Sequence, residues 1–267
     1  MGLTLIVATV DFFVVIAFAL AAILLKAIDG RGFIASVAVG CSILLGGGWD
    51  WFIVVAVFFT LGVAFTWYKY GYKKKLGGAQ EKGGARNWPN ILANGGISSL
   101  AAIIYFFQPS TLVAALFLGS MSTAAADTVA TELGLLSKKK PRLITDLSKE
   151  VAPGTSGGVS LLGFVGALVA SGVIGTMAIL LGIMHAPILL LTVSVVGGLF
   201  GAIFDSLLGA AVQRKGYCAV CKRPTESLTH CGEMTTRTSG VPFIENNMVN
   251  LLATLAGGAV AGLVALL

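Results

Sequence analysis

Apolar residues in this chain come in long blocks, not in alternation, and short polar stretches separate the blocks. Crossing the hydrocarbon core of a bilayer takes about 20 helical residues. The blocks predict spans at Leu3–Leu25, Phe33–Leu45, Trp51–Tyr68, Ile91–Phe107, Thr111–Ala126, Val159–Ile183, Pro187–Val212 and Met248–Leu267. The fifth runs on as helix to Gly134. Phe33–Leu45 is short and ends in "GGG", so it reads as a half-span or a tilted hairpin. Continuous blocks without a period of two argue against a β-barrel. The expected fold is all-α: a polytopic transmembrane bundle of about eight crossings, six at the least, forming one domain over 1–267. The opening "MGLTLIVATVDFFVVIAFALAAILLK" has no basic residue ahead of its apolar run and no clear cleavage site, so it reads as a retained span and not a secretory signal.

Composition strengthens this picture. Of 267 residues, 56% are hydrophobic and only 11% charged, against about 25% charged in a soluble domain. Mean hydropathy is +0.91. The net charge of +6 does not point to nucleic acid, because the basic residues gather in a few loops. Four connecting regions carry most of the charge: "KAIDGRG", "KYGYKKKLGGAQEKGGARNWPN", "LLSKKKPRLITDLSKEVAPGTSGG" and "QRKGYCAVCKRPTESLTHCGEMTTRTSGVPFIENN". They alternate with the nearly uncharged "LLGGGWDW", "QPS" and "GIMHAP". The positive-inside rule then places all four charged regions in the cytoplasm and both termini outside. The last charged region, 213–247, forms a cysteine-containing loop between the final two spans. No internal repeat is evident, which gives no support to an inverted-repeat transporter.

On that topology, polar residues from five spans fall at a similar depth on one side. They are Asp127, with Glu132 about a turn and a half later, Asp205, Asn94, the pair Thr155 and Ser156, and the group Asn246, Asn247 and Asn250. A carboxylate facing lipid costs on the order of 2.5–3.5 kcal/mol on insertion scales, so these groups are expected to surround a wet cavity open to the cytoplasm. Ser120, Thr123, Asp127 and Thr131 recur at helical intervals and form one polar stripe. Alanines 124–126 allow close approach of a neighbouring helix or ligand. Glu132 lies five residues from Asp127 and points elsewhere on a straight helix. Asp127 is therefore the favoured metal ligand, with Asp205 its partner. Three roles stay open to Glu132: a second ligand, a base, or a partner for Arg142 or the lysine run. A purely structural buried pair is the competing explanation, and it weakens as more spans contribute at one level.

The stretch "VAPGTSGGVSLLG" runs through Thr155, Ser156 and Gly157 into the sixth span. Backbone N–H groups beside glycines make a cradle for phosphate, although the Walker A ending is missing. Lys82 and Arg86, beside glycine pairs, suit phosphate as a point charge and a bidentate fork. The lysine triplets at 73–75 and 138–140 read as orientation signals or contacts to anionic lipid. Phosphates together with intramembrane carboxylates imply Mg²⁺, which takes one or two carboxylates and fills its shell with phosphate oxygens and water. Cys218, Cys221, His230 and Cys231 fit a small structural zinc knuckle, with reduced thiols as the alternative. Adjacent His230 and Cys231 are awkward for one tetrahedral ion. His185 looks incidental.

The motifs "NGG" at Asn94, "ADTVATELG", "PRLIT…PGTSGGVSLLG", "DSLLGA" and "NNMVNLL" together resemble a family of multispan membrane proteins that includes the plant phytyl-phosphate kinase of tocopherol salvage. The resemblance runs from about Lys69 to Leu252. More remotely, "ADTVATELG" followed by "PGTSGG" is similar to signatures of the dolichol and phytol kinases and of the phosphatidate cytidylyltransferases. Only Lys149 loosely matches the lysine that precedes the Gly-rich motif in the cytidylyltransferases.

The resemblance implies phosphoryl transfer from CTP or ATP to a prenyl monophosphate of phytyl or geranylgeranyl type, giving the diphosphate. Asp127, Asp205, Glu132, Lys82 and Arg86 would then be the catalytic set. Asn94, Thr131, Arg142, Thr155, Ser156, Gly157, Asn246, Asn247 and Asn250 would bind substrate or nucleotide. Membrane lipid and the prenyl phosphate are the expected partners, nucleic acid is not one, and a homo-oligomer stays open. Two rivals remain. A cytidylyltransferase would release pyrophosphate. A carrier for an anionic solute would want polar groups at mid-membrane and on the outer side, where only Asp11 favours it.

Overall fold

The computed structural model describes residues 2–76 and 81–267, with side chains from residue 9 onward except those at 81, 82, 223 and 224. Its helices are α1 (Gly2–Leu24), α2 (Gly30–Trp67), α3 (Tyr70–Lys75), α4 (Trp88–Phe107), α5 (Thr111–Gly134), α6 (Leu161–Leu180), α7 (Pro187–Ala211) and α8 (Asn246–Val264). Six of these are long and apolar enough to cross a membrane, and α1 adds an apolar stretch over Thr9–Leu24. The chain is a polytopic helical membrane protein, as its hydrophobic blocks predict.

Local chemistry sets where the helices start. The Asp29 carboxylate accepts from Gly32 N at 2.8 Å, and Asn87 Oδ1 accepts from Asn90 N at 3.2 Å. Ser110 and Ser160 cap α5 and α6 in the same way. Such caps satisfy N–H groups that the first turn leaves without partners. Pro89 and Pro187 sit in first turns, where the missing N–H does no harm. The sixth span therefore opens at Leu161 behind Ser160, and Thr155 and Ser156 lie in the loop before it.

The 38-residue α2 is two helices and not one. A Cβ on Gly32 would lie 2.8 Å from Arg86 O, and one on Gly62 would lie 2.4 Å from Arg86 Nη2. In a straight helix those glycines would stand about 45 Å apart, yet both touch one arginine. The chain reverses at Gly48, with φ 70° and ψ −163°, a backbone only glycine adopts freely. Gly46 packs its backbone against the Ala102 carbonyl, where a Cβ would lie 2.0 Å away. The "GGG" is thus the turn of a helical hairpin, and Phe33–Leu45 lies in its first arm.

At the centre stands α5, packed against α4, α6, α7 and α8 and the most buried of the long helices. Phe117, Leu118 and Met121 are fully buried on it. Trp51 stacks on Phe117 at 4.0 Å between ring centroids and meets Tyr105 at 4.7 Å. Against α7 and α8 the contact is made by small residues. A Cβ on Gly257 would stand 2.0 Å from Thr123 Oγ1 and one on Gly201 2.2 Å from it, so backbones meet there as small residues allow.

All four charged regions gather at one end of this bundle. Asp29 N donates to Arg86 O and Arg86 N to Ala27 O. Lys73 pairs with Glu132, and Gly157 sits on Ala210. Short strands, absent from an all-α expectation, organise two of these regions. Strands β1 (Arg142–Leu143), β2 (Asp146–Glu150) and β3 (Gly158–Val159) form a sheet of order β2-β1-β3. In the cysteine loop, β4 (Lys215–Cys218), β5 (Arg223–Thr225) and β8 (Thr236–Ser239) pair in the order β5-β4-β8, and β6 (Thr229–His230) pairs with β7 (Glu233–Met234).

Candidate functional site

A cavity of about 210 Å³ lies at the charged end, between α5, α6 and α7, under the loop that precedes α6. Helical spacing on α5 puts Asp127 and Thr131 on its wall, one turn apart. From α7 come Asp205 and Ser206, and from the start of α8 comes Asn246. The loop contributes Thr155, Ser156 and Gly157. Gly157 has φ +76°, and a Cβ there would fall 2.4 Å from Ala210 Cβ. Only glycine lets the loop lie flat on α7 and bring its two hydroxyls over the acids. The apolar side chains of Phe164, Leu199 and Ile203 share the wall with these polar groups. Phe164 and Ile203 are also 48% and 40% exposed.

Asp205 has a direct partner. With its amide nitrogen turned to the acid, Asn250 donates to Asp205 Oδ2 at 3.3 Å and to Asn246 O at 2.9 Å. A third carboxylate, unremarked in the sequence, completes the wall. Glu226 reaches in from the cysteine loop. Ser156 Oγ donates to its Oε1, and Gln213 Nε2 donates to its Oε2 at 2.7 Å. Nothing in the spacing of "RPTESL" separates this acid from a solvated one; only the folding of the loop over α7 does. Among the described residues, no lysine, arginine or histidine lines the cavity.

Other expected residues lie elsewhere. Glu132 is buried against Lys73, whose Nζ also donates to Phe65 O at 2.7 Å and Thr66 O at 2.8 Å. Of the alternatives open to it, the lysine run supplies its partner. Lys73 is fully buried, so the first residue of that triplet is a structural cation and not a lipid contact. Arg142 points outward and donates to Leu147 O at 2.7 Å. Asn94 donates to Asn90 O at 2.9 Å within its own helix. It lines a separate apolar cavity of about 70 Å³ between α1, the two arms of α2 and α4. Arg86 lines that second cavity too, with its guanidinium 5.5 Å from the Phe58 ring. Burial draws Arg86 down from its ordinary value, while Glu132 and then Asp127 pull it back up. It thus stands electrostatically behind both acids without facing the cavity. Asn247 does not line the cavity, and the Lys82 side chain lies outside the described residues.

Cys218, Cys221, His230 and Cys231 converge, with their candidate ligand atoms all within 4.8 Å of one another. His230 Nδ1 is 3.5 Å from Cys221 Sγ and 3.2 Å from Cys231 Sγ. The adjacency of His230 and Cys231 is resolved by a tight turn. Cys231 and Gly232 both have positive φ, 54° and 82°, which makes the two-residue reversal of a β-hairpin and folds the thiol back over the imidazole. The Cys218 thiol is drawn down to about 6, first by the Cys221 backbone N–H and then by His230.

Comparison with known proteins places this arrangement in a family. Residues 13–258 match the model of the family described as Integral membrane protein DUF92, and the chain belongs to that family. It is 31% identical over 253 residues to Protein PGR of Arabidopsis thaliana, covering 86% of each chain. It is 30% identical over 239 residues to an uncharacterized membrane protein of Methanocaldococcus jannaschii, covering 90% of this chain and 86% of the other. To Protein VTE6, chloroplastic, of Arabidopsis thaliana it is 25% identical over 244 residues, covering 90% of this chain and 66% of that one. No solved structure matches the chain.

Proposed function

We propose that this member of the DUF92 family is a membrane phosphotransferase that uses CTP or ATP to convert a prenyl monophosphate, of phytyl or geranylgeranyl type, to its diphosphate. The observation that carries the reading is the amphipathic cavity. Three carboxylates and two loop hydroxyls line it together with the apolar Phe164, Leu199 and Ile203. A substrate with a phosphate head and a hydrocarbon tail matches both kinds of wall. The motif resemblance to a family that includes the phytyl-phosphate kinase supplies the reaction class, and the charge of the loops argues that the polar mouth faces the cytoplasm.

Among the described residues the only charged groups on the wall are acids, which would repel phosphates, so the donor set fits a hard cation bound by oxygen. Asp127 and Asp205 would hold Mg²⁺, which when bound would neutralise charge on the donor phosphates. The chain's own groups do the rest. Thr155 and the glycine N–H groups orient the phosphate to be moved, Ser156 holds the Glu226 carboxylate, Asn250 fixes the Asp205 carboxylate, and the apolar wall keeps water from competing. A new bond forms between an acceptor phosphate oxygen and the γ-phosphorus. The bond from that phosphorus to its bridging oxygen breaks, and a nucleoside diphosphate leaves. The acceptor is already anionic near neutral pH, so no strong base is required, and catalysis is positioning and electrostatics.

The test is product analysis. Purified protein in detergent receives Mg²⁺, labelled CTP or ATP, and phytyl or geranylgeranyl monophosphate. Prenyl diphosphate with release of nucleoside diphosphate is expected, and a chelator of divalent ions should abolish it. Release of pyrophosphate with a nucleotide attached to the lipid would replace the kinase reading by nucleotidyl transfer. No labelled lipid with either nucleotide would end both.

A further inference from the structure

The cysteine loop does more than pack beside the cavity: it carries Glu226. That residue lies between Cys221 and His230, close to the middle of the segment joining the two halves of the Cys/His cluster. Cys218 and Cys221 belong to the turn linking β4 and β5, while His230 and Cys231 belong to the β6–β7 reversal. An atom bound by all four would close this segment into a loop with Glu226 at its bend. Arg214 grips the same segment from behind, donating to Ser227 O and Thr235 O at 3.0 Å each. Thr235 Oγ1 donates to Ser227 O at 2.7 Å. In front, Ser156 and Gln213 hold the carboxylate.

The donor set selects the ion. Three sulfurs and one imidazole nitrogen suit zinc, and a closed tetrahedron leaves no open position for chemistry. With Zn–S about 2.3 Å and Zn–N about 2.0–2.1 Å, a tetrahedron places nitrogen and sulfur about 3.5 Å apart. The two N···S separations given above are 3.5 and 3.2 Å.

We infer that Cys218, Cys221, His230 and Cys231 bind one structural zinc ion, and that this zinc holds Glu226 in the wall of the cavity, so the wall is complete only when zinc is bound. Glu226 is thereby a positioning residue for the Thr155–Ser156 loop. The inference rests on taking the cavity as the site, but not on the reaction performed there.

Two measurements on the full-length protein in detergent test it, and neither reads phosphoryl transfer. Elemental analysis should find about one zinc per chain, falling below about a tenth in the C218S/C221S variant. A wild-type protein without zinc, or with iron in its place, overturns the assignment. Hydrogen exchange then follows residues 153–158 in wild type, in wild type stripped of zinc by a chelator, and in Glu226→Gln. Stripping zinc and E226Q should each raise exchange in that loop by about tenfold, and both together should raise it no further than either alone. Faster exchange confined to 213–240 after stripping would show that zinc does not reach the cavity and would overturn the coupling. Stripped wild type serves if the cysteine variant fails to fold. A failed phosphotransferase assay would leave both results standing.

Discussion

Two carboxylates stand five residues apart on α5, and their surroundings differ in kind. Glu132 is sealed in with the Lys73 ammonium, which also takes up two carbonyl groups at the end of α2. Asp127 opens onto a cavity that it shares with Asp205 and Glu226, and no described cationic side chain lines that space. Five residues turn a helix by about 140°, enough to send two similar acids to opposite fates. A buried charge that already has its partners holds structure together. One that faces open volume beside other like charges needs something to arrive from outside. The contrast separates scaffold from site on a single helix.

The largest expected effect comes from neutralising the open side. Asp127→Asn and Asp205→Asn keep the shape of the cavity and remove the charge that would hold the metal. Prenyl-phosphate phosphorylation should fall on the order of 10²–10³-fold for each. The thermal unfolding midpoint in detergent should hold steady or rise, because crowded buried acids are a burden on the fold. A variant that keeps wild-type turnover would erase the distinction between the two acids.

Breaking the closed side should do the reverse. Lys73→Met leaves Glu132 charged and without its ammonium at a site almost sealed from water, so stability should drop by about 3–5 kcal/mol. Adding Glu132→Leu removes the stranded charge and should restore most of the loss. Unfolding of the two single variants and the double gives the coupling directly. Additive losses would mean that the pair does not act as a unit. Activity per folded molecule should stay within about threefold of wild type in the double variant, since neither residue faces the cavity.

The sequence showed the open side more clearly than the closed one. Asp127, Asp205, Thr155 and Ser156 were legible because hydropathy sets depth and helical period sets direction, and together these bring acids from α5 and α7 to one level. The hairpin of α2 was half legible, since "GGG" marks a break without saying that the chain doubles back. Lys73 was misread because a lysine triplet next to a span has the same pattern whether it meets lipid headgroups or bends inward. Asn94 sits at the expected depth, but its side chain bonds to its own helix at Asn90. Glu226 was invisible because its place depends on how 213–247 folds over α7, through short strands with no regular alternation. Contacts set by long loops are where a linear reading runs out.

A gentler perturbation of the open side leaves every charge in place. Gly157→Ala would push a methyl to 2.4 Å from Ala210 Cβ and 2.7 Å from Ala210 N, at a φ of +76°. The loop must lift from α7 and carry Thr155 and Ser156 with it. A loss of about 1–3 kcal/mol is expected from the overpacking, with activity down about tenfold from misplaced hydroxyls. Gly172 is the control: it lies in α6 with nothing within 4 Å of where a Cβ would be, so Gly172→Ala should leave both readouts unchanged or slightly raise stability. If G157A lowered stability alone, the loop would belong with Lys73 and Glu132 as scaffold.

The smallest effect falls on the stripe itself, above the acid. Ser120, Thr123, Asp127 and Thr131 share one face of α5, yet the cavity takes only the last two. Thr123 is walled in by glycines of α7 and α8, and its hydroxyl donates to Gly119 O at 2.8 Å, with Gly197 O at 3.1 Å sharing the proton. Replacing it by valine keeps the shape and removes the link between α5 and α7. Bonds of this kind inside membranes average about 0.6 kcal/mol, so Thr123→Val should shift thermal unfolding slightly and leave turnover within about twofold of wild type. The carboxylate one turn below should respond about a hundredfold more strongly in activity. If T123V instead matched D127N in lost turnover, the working part of the stripe would extend into the glycine junction. The boundary between scaffold and site would then run along α5, not around it.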